Sequence, residues 1–202
     1  MAKLHFRYGT VSSGKTLDLL KIVFNYSENG MDTLILTSSI DTRYGNNIVK
    51  SRLGSHKYAI GINLNDDVYN IVKDKLDVVD NNIRCILVDE VQFLTKDHIF
   101  QLAKIADKLN IPVICYGLRS SFDLETFEST QYLMAIADEI EEMKTICFKC
   151  GKRKASISAK FKDGIIQTDG QQIEIGGNEL YRPMCRICHS ELVSERDSNN
   201  LK

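Results

Sequence analysis

Apolar residues follow two rhythms along the first 145 positions. Leu4, Phe6 and Tyr8 alternate with polar neighbours over Lys3 to Tyr8, the period of a β-strand. Thr33 to Thr37, Arg84 to Val88 and Pro112 to Tyr116 are short apolar runs, which predicts buried strands. Thr16 to Tyr26 is apolar-rich without Gly or Pro and reads as a helix. Thr95 to Leu109 reads as another, with Thr95 as its cap and Ile99, Leu102, Ala106 and Leu109 on one face. Asp66 to Leu76 predicts a third. Strands alternating with helices imply an α/β fold, a mostly parallel sheet flanked by helices.

The rhythm breaks twice. Ser39 to Lys57 is polar, holds two glycines and has no period, so it reads as a long mobile loop. After Met143 the pattern changes to short strands framed by cysteines, with pieces around Ala155 to Phe161 and Ile165 to Thr168. The expected organisation is a larger domain over 1–145, a small cysteine-framed domain over 146–192 and a disordered polar tail over 193–202.

The turn after the first strand carries the first chemistry. Gly9, Thr10, Val11, Ser12, Ser13, Gly14, Lys15 and Thr16 match G-x-x-x-x-G-K-[ST], the phosphate-binding P-loop. The glycines let successive backbone N–H groups face one anion. Lys15 can reach the β- and γ-phosphates of ATP, and the Thr16 hydroxyl can ligate Mg²⁺. The strand before the loop and the helix after it are the context the motif needs. Cys85 to Val88 leads a second apolar strand into Asp89 and Glu90. Paired carboxylates at a strand end suit the ligand-binding edge of a parallel sheet. Asp89 is assigned to Mg²⁺, through water, and Glu90 to general-base work on an attacking hydroxyl or water.

Composition narrows the remaining choices. The 26 basic and 27 acidic residues nearly cancel, so no global field favours nucleic acid or an anionic membrane. No apolar run reaches membrane-spanning length and the N-terminus is too polar for a signal peptide, so a cytoplasmic protein is expected. In a reducing compartment six cysteines are not staples. Cys85 and Cys115 lie in apolar runs and read as inert core thiols. Cys147, Cys150, Cys185 and Cys188 form two C-x₂-C pairs, the spacing of one structural zinc per chain. His189 as a substitute ligand, and no metal at all, are the alternatives. The basic cluster of Lys149, Lys152, Arg153 and Lys154 reads as a solvated face.

P-loop, acidic strand end and split cysteine pairs, in this order, resemble the small cytosolic thymidine kinases that contain zinc. The resemblance spans roughly residues 3 to 192 and is carried by YGTVSSGKT, DTRYG, SRLG, VDEVQFL, CYGLRSSF, IGGNELY and CRIC. It implies transfer of the ATP γ-phosphate to the 5′-hydroxyl of thymidine. It makes Glu90 the base and places Arg43 near the phosphates, with Lys15 and Mg²⁺ stabilising the transferring group. It implies thymidine contacts for Val11, Asp41, Gln92, Phe93, Leu118, Phe122, Phe127, Ile173, Ile175, Gly176 and Tyr181. The segment Gln172 to Tyr181 resembles the family's lasso, a loop that reads thymine mainly through backbone groups, with zinc anchoring its root. The family also implies a homotetramer and feedback inhibition by dTTP. Two departures stand out. Phe122-Asp123-Leu124-Glu125-Thr126-Phe127 lacks the Arg-Gly that often follows the first phenylalanine, and Ser158-Ala159-Lys160 replaces Thr-x-Arg. A nucleoside kinase of other base preference, a nucleic-acid-stimulated ATPase using the zinc ribbon and a non-enzymatic nucleotide switch are the rival readings.

Overall fold

The computed structural model describes residues 1–45, 47–78, 82–173 and 180–200. Its first strand, β1 (Leu4–Tyr8), runs into helix α1 (Lys15–Glu28) and then β2 (Asp32–Ser38). A small hairpin follows, β3 (Ile48–Lys50) and β4 (His56–Tyr58), then β5 (Ile60–Ile62), α2 (Val68–Val78) and β6 (Ile83–Asp89). Next come α3 (Lys96–Lys104), β7 (Val113–Gly117), α4 (Glu128–Ile136) and β8 (Glu139–Glu142). The chain ends with β9 (Ile157–Lys162), β10 (Ile165–Gln167), β11 (Tyr181–Met184) and α5 (Arg186–Asn200).

Six strands form one sheet in the order β5-β2-β6-β7-β1-β8, and every pairing in it is parallel. Order and direction put the ends of β1, β2, β6 and β7 along one edge. Both faces of the sheet are covered. Phe6, Leu36, Ile86, Val88 and Val113 pack on one side against α2, α3 and α4. Ile35, Leu87, Ile114 and Tyr116 pack on the other against Leu19, Leu20 and Val23 of α1. Cys85 and Cys115 are fully buried here, and burial pushes the Cys85 thiol up to about 12. Both are therefore inert core thiols.

Local chemistry sets the helix boundaries. The Thr95 hydroxyl accepts from the His98 amide at 3.3 Å, and His98 Nδ1 accepts from the Thr95 amide at 3.3 Å. This reciprocal cap starts α3 as the sequence predicts. The predicted span to Leu109 is helical throughout but changes character: Ile105 to Leu109 form a π turn, ended by Asn110 in the left-handed region. The Gln101 side chain accepts from the Val68 amide at 2.6 Å and ties α3 to the start of α2.

Three expectations change. The segment from Ser39 to Lys57 is no structureless loop, because β3 and β4 pair within it. Strand β8 was not expected from its acidic sequence. Its pairing with β1, and ion pairs from Lys3 and Arg7 to Glu139 and Glu141, hold it at the sheet edge. The tail expected to be disordered from 193 continues α5 as far as Asn200. Cys188, Leu192 and Arg196 recur at four-residue spacing, which places them on one helix face. Leu192 packs on the cysteine cluster, and Arg196 Nη1 donates to the Ile166 carbonyl at 3.2 Å.

Strands β10, β9 and β11 form a separate antiparallel sheet. Its core is small: Ile157, Ala159, Ile166 and Met184 with three buried cysteines. It touches the large sheet at the P-loop, where the Val11 amide donates to the Ser158 hydroxyl at 3.1 Å.

Candidate active site

The P-loop curls between β1 and α1. Gly9 cannot be replaced cheaply, since an added Cβ would lie 2.3 Å from the Ser13 Oγ and 2.6 Å from the Met143 carbonyl oxygen. Ser12 and Gly14 take positive φ, 62° and 83°, which bends the loop into a concave cradle. Lys15 is buried. Its Nζ donates to the Thr10 carbonyl at 2.9 Å and lies 3.4 Å from that of Gly9. Burial lowers its affinity for a proton, against the pull of Glu90 and Asp89.

The acidic pair stands opposite. The Thr16 hydroxyl donates to Asp89 Oδ2 at 3.0 Å. Burial, and then the Glu90 charge, push the Asp89 carboxyl up to about 7. A buried carboxylate that resists ionisation beside a hydroxyl fits a divalent cation, which would supply the missing charge. Glu90 sits in the left-handed region at φ 50°. Burial acts against its ionisation, but Arg43, Lys15 and Gln92 outweigh it and hold Glu90 below the usual carboxylate value. Arg43 Nη2 donates to Glu90 Oε1, and Gln92 Nε2 donates to Oε2 at 2.6 Å. Gln92 also accepts from the Leu118 amide at 3.0 Å, which ties Glu90 to the end of β7. Arg43 in turn is forked onto Asp41, with Nε and Nη2 each 2.7 Å from a carboxylate oxygen.

A cavity of about 370 Å³ joins these groups. Val11 to Thr16, Asp41, Arg43, Asp89, Glu90, Gln92 and Phe93 line it, with Leu118, Phe122, Phe127 and Tyr181. The lining thus combines the charged groups of the P-loop and β6 end with aromatic and aliphatic side chains. Phe93 and Phe127 meet edge to face at 6.2 Å, while the Lys160 ammonium lies 4.5 Å from the Phe122 ring centre. Phe122 and Phe127 are both core residues and wall residues. Gly9 and Thr10 line a smaller neighbouring pocket with Tyr8 and Ser156, and Ile173 lies outside the lining of the large one. Ile175 and Gly176 fall outside the described residues.

The sequence reading gave no role to several residues that also face the cavity. Thr37, Ser121, Ser158 and Arg52 are among them. Thr37 ends β2 beside β6, so the rule that ligands sit at strand ends could have pointed to it. Arg52 belongs to the SRLG segment, which by itself assigns it no role. The missing Arg-Gly also has a structural counterpart. Leu124 takes φ 70°, while Asp123 accepts from Ser121 Oγ and from the Glu125 amide.

Away from the cavity, the sulfurs of Cys147, Cys150, Cys185 and Cys188 all lie within 4.8 Å of one another. Four sulfurs on one tetrahedral zinc stand about 3.8 Å apart, so the set fits that ion after slight contraction. Amides of Lys152 and Arg153 draw the Cys150 thiol down to about 6, toward the thiolate a metal requires. His189 is buried next to Cys188 but is not part of the cluster. Among the described residues no helix is long and apolar enough to cross a membrane.

Comparison with known proteins agrees with this geometry. A family model described as thymidine kinase matches residues 2–189. A thymidine kinase of Rhodopirellula baltica is 41% identical over 201 residues, which cover 100% of this chain and 94% of that protein. One from Zymomonas mobilis is 46% identical over 187 residues, 92% of this chain and 95% of the relative. One from Listeria monocytogenes is 45% identical over 190 residues, 94% and 97% of the two chains.

Proposed function

The chain belongs to the thymidine kinase family, and from that premise we propose that it phosphorylates the 5′-hydroxyl of thymidine with ATP, giving dTMP and ADP. The observation that carries this reading is the single cavity shared by the P-loop, an ionised Glu90 and an aromatic wall. Glu90 takes the hydroxyl proton. The 5′-oxygen forms a bond to the γ-phosphorus, and the bond from that phosphorus to the β-phosphate oxygen breaks with its electrons leaving on ADP. Gln92 and Arg43 hold the carboxylate in place and ionised, so the base is ready at neutral pH. Phosphates would lie in the cradle of the loop, over the amides of Gly14, Lys15 and Thr16 with the Lys15 ammonium beside them, and Arg43 stands near the transferring group. Thr16 and Asp89 are the pair that would hold Mg²⁺, Asp89 through water. When bound, the ion would neutralise charge on the phosphate oxygens.

Thymine would lie against Phe93, Phe122, Phe127 and Leu118, with Val11 and Tyr181 closing the slot, a flat apolar space suited to a methylated base. Ile173, Ile175 and Gly176 would meet it through the lasso. The four cysteines would hold one structural zinc that anchors β11 and the lasso. A cytoplasmic homotetramer inhibited by dTTP completes the reading, and its support is the family resemblance.

ADP formation from Mg-ATP tests the proposal, with thymidine, other nucleosides, DNA and no acceptor run in parallel. Thymidine-dependent ADP matched by dTMP is the expected result. Stimulation by DNA with no response to any nucleoside would overturn it.

A further inference from the structure

Two arginines face the P-loop cavity, and the structure gives them different neighbours. Arg43 is held by two carboxylates, forked onto Asp41 and bonded to Glu90. Its charge serves to keep the base ionised. Arg52 has no such carboxylate: none of the acidic residues is ion-paired to it among the described residues, and its Nη1 donates to the Ser12 hydroxyl at 2.6 Å. Ser12 is the crown of the P-loop, at φ 62°. Lys15 behaves in the same way. It too donates to oxygens of the loop, at Thr10 and Gly9. Two cations therefore meet one cradle, each bonded to an atom of the loop.

The β3–β4 hairpin delivers the second of them. Ser51 closes the turn through its amide bond to the Ser55 carbonyl at 2.8 Å, and Gly54 takes φ 97°. Arg52 and Leu53 sit at its tip, and both line the cavity. An arginine fork recognises phosphate oxygens better than a hydroxyl, because both partners are charged and two bonds form together.

We infer that Arg52 is a phosphate-contacting residue of the kinase reaction, leaving Ser12 to grip the γ-phosphoryl group of ATP while Arg43 stays with Glu90. During transfer the 5′-oxygen of thymidine bonds to the γ-phosphorus, the bond to the β-phosphate oxygen breaks and the hydroxyl proton passes to Glu90. The departing bond loads negative charge on oxygens that the Arg52 fork can meet, which is how an arginine supplied within the same chain accelerates phosphoryl transfer. The hairpin then acts as the carrier of that charge.

The inference rests on the kinase reading, so its test combines turnover with binding. Arg52→Ala, Arg52→Lys and Ser12→Ala are compared with the unaltered protein. Affinity for the β,γ-imido analogue of ATP and for ADP is measured by calorimetry, without turnover. Arg52→Ala is expected to lose at least about tenfold affinity for the imido analogue while ADP binding changes less than about threefold, as loss of a charge-assisted bond to the third phosphate requires. Its kcat for thymidine should fall about a hundredfold or more, with the KM for thymidine nearly unchanged. Arg52→Lys should recover part of the rate, and added guanidinium should restore part of it to Arg52→Ala. Ser12→Ala removes the hydroxyl partner alone and is the comparison that separates a latch from a phosphate contact. Equal affinities of Arg52→Ala and the unaltered protein for the imido analogue would overturn the inference. So would a loss that Ser12→Ala reproduces in full, since the bond would then be a structural latch. Failure of the kinase reading would show separately, as no thymidine-dependent ADP from the unaltered protein.

Discussion

Glu90 and Tyr181 face one cavity from two sheets of different construction. Glu90 follows β6, whose residues from Cys85 to Asp89 are all buried between layers of helices. Tyr181 opens β11, in a sheet with few apolar residues and four clustered cysteines. In the first region the hydrophobic core places the proposed catalytic groups, and they would keep their positions without any ion. In the second the core is too small to do so alone, and on the zinc reading proposed above the metal would supply the missing folding energy. One wall of the cavity is thus fixed by packing, and the other is conditional.

Chelation would break this comparison most visibly. Removing zinc, or replacing Cys147 with Ser, should strip hydrogen-exchange protection from β9, β10, β11 and α5 while β1, β6 and β7 keep theirs. The KM for thymidine should rise at least about tenfold through lost wall contacts. Equal protection in both regions before and after chelation would show that the small sheet stands by itself. Glu90→Gln is the complementary change in the packed region. It should lower kcat by about a hundredfold or more, with ATP affinity and the thermal midpoint preserved. A folded variant of near-normal turnover would remove Glu90 from the role of base.

The contrast also explains what the sequence disclosed. The packed region announced itself, because burial on both sheet faces forces apolar runs and the P-loop needs fixed residue types. Leu4 to Tyr8, the run into Asp89 and the cap at Thr95 were legible for that reason. Strand β8 was not, because Glu139 to Glu142 is made a strand by its neighbour and by ion pairs with distant residues. Helix α5 was not legible either, and its polar end was read as a disordered tail, because docking on β10 through Arg196 is what orders it. The cysteine spacing pointed to the cluster of four sulfurs, yet nothing in it shows that Ser158 reaches the Val11 amide. Arg52 was hidden too, since its partner lies 40 positions away and no spacing rule links them.

A charge network beneath α1 sharpens the view of the packed region. Asp18 accepts from Arg7 at 2.6 Å and from the Tyr116 hydroxyl at 2.9 Å. Burial acts against its ionisation, but Lys21, Tyr116 and Arg7 outweigh it and hold its carboxyl below the ordinary aspartate value. A carboxylate with a depressed folded value contributes stability above the unfolded value, about 3.9, and loses it as pH falls through the folded one. Asp18→Asn should therefore cost about 1 to 2 kcal/mol at pH 7, toward the lower figure because the site is partly solvated. The gap between variant and parent should shrink below about pH 4. Denaturant melts at pH 7 and pH 3.5 would check this, and a gap constant with pH would mean that packing, not charge, is what the network contributes.

The smallest effect lies where the two regions meet, in the turn between Phe122 and Phe127. Leu124 holds φ 70° with its side chain 53% exposed. A branched residue in the left-handed region is strained by about 1 to 2 kcal/mol, and glycine escapes that strain at the cost of about 0.5 to 1 kcal/mol of extra chain entropy. Leu124 recovers little by burial, so Leu124→Gly should stabilise the protein by about 0.5 to 1 kcal/mol. The turn is already held by Asp123, which accepts from Ser121 and Glu125, so its shape should persist. Phe122 and Phe127 should then keep their places in the cavity wall proposed to hold thymidine, and the KM for thymidine should stay within about twofold. A thermal melt that shows destabilisation would mean that Leu124 is held by packing on a partner surface, and the strain argument would fail at this position.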